Sequence, residues 1–116
     1  MTFEYIINKK DSIIIISLKG ELINKEQASK MLEDVDDCVS KNETKILFHL
    51  NELNYLNSSG LNIFINVLTK MRKAGGDLAI CCVNKKISEL LLITKLGNIF
   101  NISENIEQGI AILNKL

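Results

Sequence analysis

The sequence predicts an α/β fold built on a largely parallel sheet with an antiparallel element near the N-terminus. Beyond Glu21, apolar residues recur alternately at strand and at helix spacing, and crossovers of that kind require parallel, right-handed pairing. Before Glu21, two β-prone runs are separated only by the polar Lys9, Lys10 and Asp11, which is a hairpin pattern. The chain has 116 residues, 47% of them hydrophobic and 24% charged, which suits one packed core and not two. It contains no proline, no internal repeat and no low-complexity tract, so residues 1–116 read as a single domain.

The elements follow in order. Phe3 to Asn8 and Ser12 to Leu18 are the hairpin strands, the second extending through Gly20 and Glu21; Ile13 to Ile16 is apolar on both faces, as an interior strand requires. Asn24 reads as an N-cap with Gln27 three residues on, opening a helix whose apolar face is Ala28, Met31, Leu32, Val35, Cys38 and Val39. Its other face carries Glu33, Asp34, Asp36 and Asp37, a run expected to be a solvated surface. Ile46 to Leu50 is a third strand, Asn51 to Asn57 a loop, and about Ser59 to Lys73 a second helix with the stripe Leu61, Phe64, Ile65, Leu68 and Met71. Arg72 and Lys73 before Gly75-Gly76 form its stop. Leu78 to Val83 is a fourth strand. Lys85 to Leu96 is a helix capped by Asn84 and ended by Gly97, Ile99 to Ile102 a short strand, and Glu104 to Leu116 a last helix after Ser103.

Charge and composition exclude several functions. Lys plus Arg and Asp plus Glu both total 14, so the chain lacks the basic excess that gives nucleic-acid binders their phosphate affinity. Residues 1–58 carry 7 basic and 10 acidic side chains and residues 59–116 carry 7 and 4, which predicts that the two halves complement each other. No apolar run is long enough to span or insert into a bilayer, and MTFEYIINKKD lacks the pattern of a signal peptide, so a cytoplasmic location is expected. Cys38, Cys81 and Cys82 show no zinc-like spacing, and adjacent cysteines rarely bridge; reduced core thiols are expected, without a disulfide or metal framework.

Titratable groups for catalysis are few. The single histidine, His49, shares a strand face with Leu47 and has no evident Ser or Cys partner. Cys81 and Cys82 lie between apolar residues, where thiols are poorly accessible and hard to ionise. Gly75-Gly76 follows a helix instead of opening one, and no phosphate-cradling glycine motif occurs. Neither a catalytic residue nor a cofactor or metal site emerges from this reading.

Asn57-Ser58-Ser59-Gly60-Leu61 stands apart, at the start of the second helix. Its ordinary role is local: Asn57 or Ser58 caps the helix and Gly60 eases the first turn. A hydroxyl at that position also meets free N–H groups and the positive end of the helix dipole, which tolerate an added phosphate. A phosphoserine would place about two negative charges on an exposed helix end and abolish docking to a surface shaped for the bare hydroxyl.

The segments Leu53-Asn54-Tyr55-Leu56-Asn57-Ser58-Ser59-Gly60-Leu61, Lys73-Ala74-Gly75-Gly76-Asp77-Leu78 and Leu90 to Phe100, with Leu18-Lys19-Gly20-Glu21-Leu22 upstream, resemble the STAS domain family, in particular bacterial anti-sigma factor antagonists. The resemblance covers about residues 3–113. It implies a four- or five-stranded, mostly parallel mixed sheet with an N-terminal hairpin and about four flanking helices. It also implies a partner switch without catalysis by this chain. The bare serine form captures an anti-sigma factor, usually a serine kinase that brings its own ATP; phosphorylation releases the antagonist and a serine phosphatase restores it. By position Ser59 is the phosphoacceptor, and Ile23, Asn24, Asn57, Ser58, Ser59, Gly60 and Leu61 form the docking face.

Two positions depart from the family pattern: Asn57 stands where Asp often precedes the serine pair, and Ile23 stands where Asp often follows Gly-Glu-Leu. An amide orients a hydroxyl but does not accept its proton. These departures motivate an alternative, a STAS subunit docked permanently in an ABC-type lipid-transport complex or a similar assembly without a phosphorylation cycle.

Overall fold

The computed structural model describes residues 2–115. Strands β1 (Phe3–Lys10) and β2 (Ile13–Leu22) form the expected hairpin. Asp11 and Ser12, at φ of 53° and 68°, make the two-residue turn whose twist matches the strands. Then follow α1 (Ser29–Ser40), β3 (Lys45–Leu56), α2 (Ser58–Lys73), β4 (Asp77–Cys81), α3 (Lys85–Ile93), β5 (Asn101–Ser103) and α4 (Ile106–Asn114). The five strands lie side by side in chain order, β1 antiparallel to β2 and all other neighbours parallel.

An order that never reverses, combined with right-handed crossovers, puts α1, α2 and α3 on one face of the sheet. The strand alternation agrees. Ile14, Ile16, Leu18, Ile46, Phe48 and Leu50 pack against these helices, with Phe48 and Phe64 rings 4.9 Å apart. Ile13, Ile15, Leu47, Ala79 and Cys81 face the other way, against Ile110 and Leu113 of α4. Since Ile13 to Ile16 are all buried, β2 is interior as its two-faced apolar run requires. α4 packs on β3, β4 and β5, while Ile6 on β1 stays 64% exposed.

Several boundaries differ from expectation. Asn51 to Leu56 is strand and not loop: pairing with β2 shifts register twice, so β3 carries two extra residues and its buried leucines fall at 50, 53 and 56. Asn24 and Gln27 cap each other as expected, yet what they open is a 3-10 turn (Glu26–Ala28), and α1 begins only at Ser29. β4 stops at Cys81 because Cys82 turns to φ 63°. α3 stops at Ile93, since Lys95 takes the left-handed position (φ 61°) expected of Gly97 and a short 3-10 turn (Leu96–Asn98) follows. β5 starts two residues later than expected, and α4 is capped by Asn105, whose Oδ1 accepts from Gln108 N–H at 2.8 Å. The expected end of that helix, Leu116, lies outside the described residues. The charge asymmetry between the halves is bridged by one ion pair among the described residues, Lys70–Asp36 at 2.8 Å; the other pairs stay within a half.

Candidate functional site

Parallel pairing brings the C-terminal ends of β2 and β3 side by side, with Leu22 opposite Leu56. The two segments that leave these ends, the β2–α1 loop and the first turn of α2, therefore meet at one edge of the sheet. Asn57 joins them. As the α2 N-cap its Oδ1 accepts from Gly60 N–H at 2.9 Å, and its Nδ2 donates to the Ile23 carbonyl at 3.0 Å. The loop is held from within by Gln27, whose Oε1 accepts from Ile23 N–H (2.8 Å) and Asn24 N–H (3.2 Å) while its Nε2 donates to the Glu21 carbonyl (3.0 Å). Sequence patterning reveals the Asn24–Gln27 box but not this wider use of Gln27, because its other partners are backbone groups.

Gly60 sets how closely α2 approaches. A Cβ there would lie 2.4 Å from the Leu22 carbonyl oxygen and 2.5 Å from Leu56 Cδ1, so only glycine admits this spacing. Gly60 is buried and Leu61 is 2% exposed. Among the seven residues expected to form a docking face, these two belong to the packing beneath it and offer a partner no side-chain surface. Ile23 and Asn57 are half-buried, whereas Asn24, Ser58 and Ser59 are exposed.

Both serines precede the first helical hydrogen bond, from Leu61 N–H to the Asn57 carbonyl at 2.9 Å, so their own N–H groups are not used within the helix. Ser59 also lines a shallow groove between the β2–α1 loop and α2, together with Asn24, Lys25, Glu26, Asn62 and Asn66. Tyr55, beside the serine pair, is 42% exposed, while Leu56 is core. The edge thus presents hydroxyls, amides, the charged Lys25 and Glu26 and one aromatic ring on a hydrogen-bonded frame, which suits protein recognition.

The residues considered for catalysis lie elsewhere. His49 is half-buried on the α4 face with Leu47, its Nδ1 3.3 Å from Ser17 Oγ. Burial, reinforced by the Cys82 thiol, pushes the Cys81 thiol up to about 12, which leaves it protonated and a poor nucleophile at neutral pH. Burial also raises Cys38 on α1. Cys82 departs from expectation in being half-exposed, not core. No helix among the described residues is long and apolar enough to cross a membrane.

Comparison with known proteins agrees with this architecture. A protein of Bordetella bronchiseptica, provisionally named an anti-sigma factor antagonist, is 26% identical over 105 residues, covering 90% of each chain. The anti-sigma F factor antagonist of Paenibacillus polymyxa is 27% identical over 94 residues, covering 80% of each. The Bacillus cell fate determinant SpoIIAA, solved in its phosphorylated form, superposes with a TM-score of 0.72 at 14% identity, covering 93% of this chain and 97% of that one. The model of the STAS domain family matches residues 4–109, nearly the whole α/β unit described above, and the chain belongs to that family.

Proposed function

We infer that this chain is an anti-sigma factor antagonist, a regulator without catalytic activity of its own that works by partner switching in the cytoplasm. With Ser59 bare, the α2 N-terminus and the Ile23-Asn24 loop dock on an anti-sigma factor that is a serine kinase. Transfer of phosphate from the kinase's ATP to Ser59 Oγ releases the complex, and a serine phosphatase restores the hydroxyl.

The observation that carries this reading is the placement of Ser59. It is exposed, in the first turn of a 16-residue helix, and on the rim of a groove shared with the β2–α1 loop. Phosphate there gains from the helix dipole and from unused N–H groups, so the domain itself tolerates it. A partner surface packed against Ser59 would have to bury about two negative charges, and binding is lost. The names of the Bordetella and Paenibacillus relatives support the regulatory class, and the phosphorylated SpoIIAA structure supports a phosphate on this fold.

The experiment is affinity capture from the native host with this chain as bait, followed by incubation of the retained complex with ATP. Recovery of a serine kinase and a phosphate mapped to Ser59 is the expected result. Recovery of a transporter ATPase with its permease, and no phosphate, would instead make the serine pair a helix terminus at a permanent interface.

A further inference from the structure

On the α4 face, away from the serine pair, Ser17, His49, Cys81 and Ser103 are successive cross-strand neighbours on β2, β3, β4 and β5. Strand alternation would send the next residue, Cys82, to the opposite face. Its backbone instead takes φ 63°, and its sulfur lies 3.4 Å from that of Cys81. Among the described residues, the other non-glycine residues at positive φ close turns: Asp11 and Ser12 the hairpin, Asn42 and Lys95 the ends of α1 and α3. A left-handed cysteine is costly, and here its consequence is to gather both thiols on one side. Both sulfurs and one ring nitrogen of His49 lie within 4.8 Å of one another.

The geometry points to a binding site for a thiophilic divalent cation, best matched by zinc, formed by Cys81, Cys82 and His49 with the fourth position left to water. Two thiolates and a neutral imidazole are a zinc donor set, and the absence of a carboxylate from it disfavours calcium and magnesium. With metal–sulfur bonds of about 2.3 Å, two thiolates on one tetrahedral ion sit about 3.8 Å apart. The observed 3.4 Å needs only a small side-chain adjustment. The Ser17 hydroxyl, 3.3 Å from His49 Nδ1, accepts the Nδ1 proton in the tautomer that leaves the Nε2 lone pair for the metal. Grooves open to the site from both sides, one lined by Ser17 and His49 and the other by Cys82 and Ser103. On binding, each thiol gives its proton to solvent, and the two thiolate charges balance those of the ion. No redox step is involved.

The test is titration of the reduced full chain with Co2+, followed by competition with Zn2+ against a chromophoric chelator. One equivalent of cobalt is expected to give thiolate-to-metal charge transfer and the intense visible bands of a tetrahedral ion, both erased by zinc. Cys82→Ala, at a half-exposed position, is expected to abolish the bands. Ser17→Ala is expected to weaken zinc binding about tenfold. His49→Gln, on a different strand, must weaken it at least as much, so the result does not hang on one variant's fold. Cys38→Ala must leave binding unchanged. Absence of the charge-transfer band, or affinity unaltered by Cys82→Ala and His49→Gln, would overturn the proposal.

Discussion

Asn57 and Ile23, 34 residues apart in sequence, are tied by a 3.0 Å hydrogen bond from the Asn57 side-chain amide to the Ile23 carbonyl. The same side chain caps α2 by accepting from Gly60 N–H at 2.9 Å. The amide does both at once, its oxygen serving the cap and its nitrogen the loop. A carboxylate at position 57 would keep the cap but face the Ile23 carbonyl oxygen. The Asn57 amide therefore has a structural use here: it ties the β2–α1 loop to the first turn of α2.

Asn57→Asp is accordingly expected to destabilise the domain by about 1–3 kcal/mol, the cost of a lost partner at a half-buried carbonyl. Urea denaturation measures this, and faster hydrogen exchange at Ile23 and Asn24 localises it. A variant as stable as the parent, with unchanged exchange, would show that the bond does not hold the loop.

Gly60→Ala forces a methyl group to 2.4 Å from the Leu22 carbonyl oxygen, which only a shift of α2 relieves. The expected loss is about 1–3 kcal/mol. Gly75→Ala provides the comparison: no atom lies within 4 Å of the added carbon, and only the backbone preference at φ 89° opposes it, worth about 1–2 kcal/mol. Only Gly60→Ala moves the edge that carries Ser59, and urea denaturation of both variants measures the two costs.

Tyr5 on β1 donates its phenol proton to Asp34 Oδ2 at 2.6 Å, fastening the edge strand to α1. Burial, with this hydrogen bond and the charge of Asp34, raises its pKa from 10.0 to about 12. The fold favours the neutral phenol, so its contribution to stability is fully present below pH 10 and is lost as the pH rises through about 12. Ultraviolet titration in a Tyr55→Phe background isolates Tyr5; its midpoint is expected near 12, falling toward 10 in Asp34→Asn.

The order of elements was legible because each carries its own periodicity and caps: Asn24, Asn57 and Asn84 all act as caps, and Lys70, Arg72 and Lys73 close α2. The second half of β3 was not, since two bulges turn its strand alternation into leucines every third residue, a spacing that resembles neither regular element. The end of α3 misled because Lys95, not Gly97, takes the left-handed position. At the site, the serines and their neighbours could be named from the sequence, but not that Gly60 and Leu61 lie beneath the surface, nor that Asn57 reaches Ile23. The His49, Cys81 and Cys82 cluster is invisible to spacing rules because two strands and a left-handed residue assemble it.

Whether charge at Ser59 controls docking is tested by calorimetric titration, with the parent chain, Ser59→Ala and Ser59→Asp, of the kinase that the capture experiment is expected to retain. Ser59→Ala is expected to bind within about threefold of the parent, as an exposed substitution that adds no charge. Ser59→Asp is expected to bind at least about tenfold more weakly, a cost of about 1.4 kcal/mol or more. Equal affinities for all three would show that charge at Ser59 does not control docking.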